Sequence, residues 1–156
     1  MDKKTLTLDQ QVFKKFFYSI TEETIQNELI VHQLSEQTRL AFGFESSAVY
    51  LSGHTIISHR EKHRDIDSDI YFSVGTMLEN GRIFIEKTNR VIVVYFRNQP
   101  YRISVKQTQD KKKIYLLSIF KTNETRLDSQ IFSKYREVVR TSQNGLEKGQ
   151  SGRRPD

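Results

Sequence analysis

Cysteine is absent from the 156-residue chain, which excludes a disulfide framework, a thiolate nucleophile and a cysteine-based zinc site, and fits a reducing compartment. Long apolar runs are missing too. The opening MDKKTLTLDQQ lacks the uninterrupted apolar core of a signal peptide, and no run approaches the roughly 18 apolar residues of a membrane span. The chain therefore reads as cytoplasmic, with no membrane partner. Neither GxGxxG nor a Walker pattern occurs, so Gly75 and Gly81 belong to no phosphate loop. No internal repeat is evident.

Apolar residues make up only 36%, but seven Tyr and ten Phe supply bulk for the core of one domain. Net charge is +6 with a pI near 9.5. The excess is uneven: between Arg97 and Arg126 eight Lys or Arg face only Asp110 and Glu124, a surplus equal to that of the whole chain. A polyanionic partner is favoured.

Apolar periodicity gives an α+β order. Val12, Phe13, Phe16 and Phe17 fall at helical spacing after Asp9, and a second helical pattern runs through Ile25, Leu29, Val31, His32 and Leu34 to a stop at Gly43. His32 reads as a structural histidine. Residues 48–51 form a strand, and Ser52 is an N-cap for a helix from Gly53 to about His63. A further helix spans Asp69 to Asn80. From Arg82 to Lys121 the period switches to two, with Val91–Phe96 a central strand. Tyr101, Ile103 and Val105 share one face of the next strand, and Arg102, Ser104, Lys106 and Thr108 share the other. The short turns predict a four-stranded antiparallel meander packed by helices. Asp128 starts a C-terminal helix through Val139, and the polar end from Thr141 reads as a disordered tail. The expected boundaries are a helical brace over 1–45, a core over 46–126, the C-terminal helix over 127–140 and the tail over 141–156.

The densest local chemistry is Arg60, Glu61, Lys62 and His63, with His59 one helical turn earlier. Positive charge at a helix C-terminus is favoured by the macrodipole, so capping alone accounts for part of it. Alternatively, His63 moves a proton, as the side chain whose ordinary pKa lies nearest neutrality, while its basic neighbours hold a phosphate. Arg102, Lys106 and Ser118 are candidates to face this helix. One imidazole, several cations and a hydroxyl suit phosphodiester cleavage without a metal, using the 2′-hydroxyl of RNA. A zinc reading of His59 and His63 with His54 is weaker. Glu61 is in the wrong place for HExxH, and Arg60 and Lys62 repel a cation. No metal or other cofactor is expected.

VYLS, a helix ending in basic-x-Lys-His, a second short helix and a meander with Ser-x-aromatic late in its last strand resemble the barnase–EndoU–colicin–RelE superfamily of metal-independent RNases. The likeness is to the colicin D type of tRNA nuclease and the related domains of phage and polymorphic toxins. It covers about Val49 to Thr122. The resemblance implies His63 as the catalytic histidine, Arg60 and Lys62 at the phosphate, Ser118 bonded to substrate, and Phe120 in an aromatic place where colicin D has tryptophan. With Arg102, Lys106, Lys121 and His59 as further substrate-binding candidates, the expectation is a toxin-like endoribonuclease. It would cleave RNA, with tRNA the expected substrate, to a 2′,3′-cyclic phosphate in the cytoplasm of a producer or target cell. A cognate acidic immunity or antitoxin protein is the conditional partner. The alternative is a non-catalytic RNA-binding or nuclease-derived interaction module of a phage or mobile element.

Overall fold

Strand-forming residues dominate the second half of the chain, and they build one sheet. The computed structural model describes residues 10–140. Strands β3 (Arg82–Glu86), β4 (Asn89–Phe96), β5 (Gln99–Gln107) and β6 (Ile114–Lys121) each pair antiparallel with the next. The sheet is wider than the four strands expected. β1 (Glu28–Gln33) and β2 (Ala48–Ser52) extend it beyond β6, and β7 (Arg136–Val138) extends it beyond β3, giving seven strands in the order β1-β2-β6-β5-β4-β3-β7.

Three segments depart from the periodicity reading. Residues 28–33 are a strand and not part of a helix, so the leading region is not purely helical; Ile30 and Val31 are stiff β-branched residues, and the segment pairs with β2 across a bulge at Ile30/His32. The helix expected over 69–80 is two, α4 (Ser68–Phe72) and α5 (Val74–Asn80). Ser73 breaks it by donating its hydroxyl to the Asp69 carbonyl at 3.0 Å, the back-bond by which serine competes with helix continuation. The C-terminal helix neither starts at Asp128 nor runs to Val139: Asn123 caps α6 (Glu124–Leu127), and Asp128–Phe132 form a π turn. The chain then extends as β7 against β3, pinned by Arg82 donating twice to the Glu137 carboxylate at 2.9 and 2.8 Å. The tail expected over 141–156 lies outside the described residues.

One face of the sheet packs on helices α1 (Gln10–Ser19), α2 (Glu36–Phe42), α3 (Gly53–Lys62), α4 and α5, through Phe13, Phe17, Phe42, Ile56, Tyr71 and Leu78 against Ile92, Ile103 and Ile119. The other face is covered over β3 and β4, where Phe84, Val91 and Val93 meet Leu127 and Ile131. That second layer explains why Val91–Val94 are apolar without alternation. Over β5 and β6, among the described residues, the same face is half-buried at Arg102, Ser118 and Phe120 and exposed at Lys106.

Alternation along β5 follows from this. Tyr101, Ile103 and Val105 are buried in the helix-side core, and Arg102, Ser104 and Lys106 lie on the opposite face. β2 runs parallel to β6 for two rungs only, Val49 against Ile114 and Tyr50 against Tyr115. Beyond them α3 takes the place of the strand, with Thr55 donating its hydroxyl to the Leu116 carbonyl at 3.4 Å. The C-terminal end of α3 is thereby carried toward Phe120. None of the helices of the described residues is long and apolar enough to cross a membrane.

Candidate functional site

α3 starts and stops on local chemistry. The Ser52 hydroxyl accepts from the Thr55 amide, and Gly53 sits so near the backbone of Ile25 that a Cβ would fall 2.5 Å from its carbonyl oxygen. At the other end the His63 amide closes the last turn by donating to the His59 carbonyl at 2.8 Å. Because His63 leaves helical geometry at that point, its side chain turns onto the sheet.

There the imidazole of His63 lies nearly parallel to the ring of Phe120, with centroids 5.3 Å apart and planes 15° from parallel. Phe120 opposes Arg102 directly across the β5–β6 pair, and the Arg102 guanidinium lies 5.6 Å from the same ring centroid. The Nε of Arg102 is buried and has no hydrogen-bond partner among the described residues. Such an unpaired buried donor costs stability unless something accepts from it. Two residues along, Ser118 opposes Ser104; further on, past a bulge, Lys106 opposes Tyr115. His63, Phe120 and Arg102 are in one contact group, and Ser118 and Lys106 continue it as a row along β5 and β6.

The remaining sequence candidates are placed differently. Lys62 is exposed at the last turn of α3, and exposed Lys121 has its ammonium 4.0 Å from Asp65. Arg60 points the other way. Its guanidinium donates to the carbonyls of Phe17 at 3.3 Å and Ile20 at 2.7 Å, satisfying the end of α1.

His59 is only 5% exposed and shares a hydrogen bond between its Nδ1 and the Tyr71 hydroxyl. Burial, then the nearby positive charge of His63 and Lys62, lowers its pKa to about 4. Burial also pushes the Tyr71 hydroxyl far above the usual phenol range, so Tyr71 keeps its proton. His59 is thus a neutral imidazole with its Nδ1 engaged by Tyr71, its ring 4.9 Å from that of His63. Among the described residues no group of three or more His, Cys, Asp or Glu side chains is gathered as metal ligands would be.

Tyr71 and Glu28 were not foreseen as site residues. Tyr71 lies in the apolar run Ile70-Tyr71-Phe72, indistinguishable there from any core aromatic. Glu28 accepts from Lys113 at 2.5 Å and from the Tyr115 hydroxyl at 2.6 Å, a contact that depends on β1 being a strand. Comparisons of the chain with family models, with curated proteins and with solved structures find no match.

Proposed function

We propose that the chain is a metal-independent endoribonuclease, toxin-like in character, with tRNA as its expected substrate. One observation carries the reading: a half-buried imidazole and a guanidinium with an unpartnered buried N–H are held on a single aromatic ring, on the sheet face that also carries Ser118 and the exposed Lys106. A phosphodiester placed there would pair with the guanidinium of Arg102. As the 2′-oxygen bonds to phosphorus its proton leaves, and as the P–O5′ bond breaks the departing oxygen takes one up. His63 moves one of these protons and water serves the other. Arg102 and Lys62 stabilise the added negative charge in the transition state, and Ser118 offers a hydroxyl two residues from Phe120. The products are a 2′,3′-cyclic phosphate and a 5′-hydroxyl. An acidic immunity or antitoxin protein would be drawn to the same cations.

A second reading has its own observation. Arg60, a phosphate cation by resemblance, is engaged with the carbonyls of Phe17 and Ile20, so a module that binds RNA without cutting it is the alternative. The two separate on incubation with total tRNA in EDTA, wild type beside His63→Ala. Discrete fragments from wild type, falling by about 10²–10⁴ in rate in the variant with affinity largely kept, are expected. Intact tRNA in both lanes, with RNA still retained at low salt, would move the assignment to the binding module.

A further inference from the structure

At the far end of the β5–β6 row from His63, two hollows share one wall, residues 106–109. The first, of about 370 Å³, is lined by Lys87, Arg90, Lys106 and Lys111 with no carboxylate in its lining. The nearest acid, Glu45, reaches Lys111 at 3.4 Å as an exposed pair, which is worth little in water. The second, of about 420 Å³, is bounded by Tyr115 and by Leu117, which is 38% exposed in the β6 bulge. Tyr115 is fixed beforehand: its hydroxyl donates to Glu28, its ring packs on Tyr50 at 5.9 Å, and the Lys113 ammonium lies 5.9 Å from its centroid.

The backbone adds an independent observation. Lys87 and Lys111 have φ of 56° and 64°, in the left-handed region where glycine or asparagine is the cheaper residue. A lysine at either position costs backbone energy that turn formation alone does not require. Both side chains line the cationic hollow.

We propose that the paired hollows form a distal subsite for one nucleotide of an unpaired RNA segment, a reading that rests on the ribonuclease assignment above. The phosphate sits among Lys87, Lys106 and Lys111, and the base lies against Tyr115 and Leu117. Lys106 is four residues along β5 from Arg102, about 13 Å at strand rise, so a few nucleotides join the subsite to His63. A base held in a duplex cannot reach a side-chain platform, which selects unpaired RNA.

The test uses the full chain carrying Lys87→Asn and Lys111→Asn together, since asparagine tolerates the left-handed backbone while removing the charge. Cleavage is compared on a dinucleotide and on a longer unstructured oligonucleotide, and binding of the oligonucleotide is titrated with salt in a His63→Ala background. The loss on the oligonucleotide should exceed that on the dinucleotide by about tenfold, and the salt slope should fall by about two contacts' worth. Equal effects on both substrates, with wild-type cleavage intact, would overturn the subsite and leave the ribonuclease reading standing. Lysine-dependent oligonucleotide binding without cleavage by wild type would keep the subsite and remove the enzyme. Unchanged RNA binding with lost affinity for polyglutamate would overturn it in favour of an acidic protein.

Discussion

His59 and His63 stand one turn apart on the same helix, yet only one is suited to proton transfer with a ligand. Burial against Tyr71 keeps His59 neutral, with its Nδ1 occupied, while His63 at the helix end reaches the sheet. Spacing alone could not distinguish them, because burial of His59 depends on where α4 packs. Glu79 shows the same dependence on assembly. Burial pushes its carboxyl pKa up, but hydrogen bonds from Thr38 at 2.6 Å, His32 at 2.8 Å and Ser35 at 2.9 and 2.8 Å outweigh it and hold it at about 2. A carboxyl with folded pKa near 2 and an ordinary value of 4.5 contributes stability that is complete above about 4.5 and is lost as pH falls toward 2. The contribution is of order 3 kcal/mol. Chemical denaturation between pH 6 and about 2.5 should show this loss in wild type and a flatter acid limb in Glu79→Ala. His32, which reads from sequence as a structural histidine, contributes its Nε2 to this cluster at 2.8 Å from Glu79.

At the level of elements, what was legible in the sequence is what is local. Ser52 capping α3 and the alternation along β5 each depend on residues within a few positions of one another. β1 and β7 were missed because each exists through a distant partner, and six or three residues give periodicity little to work on. The direction of Arg60 was hidden for the same reason: it depends on where α1 ends. Arg60 and Arg102 should therefore fail differently. Arg60→Ala, which strips two acceptors at the end of α1 of their donor, should cost about 1–3 kcal/mol and lower the melting temperature by several degrees. Arg102→Ala should leave the melt closer to wild type and lose cleavage. Thermal melts run beside tRNA cleavage assays read both.

Across the whole molecule the sheet is asymmetric: helices α1 to α5 pack on one face, and residues of the segment 124–132 pack on the other over β3 and β4. Of the basic residues between Arg97 and Arg126, Arg102 and Lys106 lie on that second face along β5. The parallel contact of β2 with β6 has a further effect, on synthesis. Val49 pairs with Ile114, and His63 meets its aromatic partner only at Phe120. A ribosome that has released residues up to about 113 has delivered the histidine but none of the strand against which it stacks. Nascent chains arrested there should show no cleavage even when freed from the ribosome, whereas chains arrested beyond Lys121 with the tunnel cleared should acquire it. On the proposed ribonuclease reading, activity would be timed to translation: His63 is made early and would have no completed site until the strand carrying Phe120 has emerged.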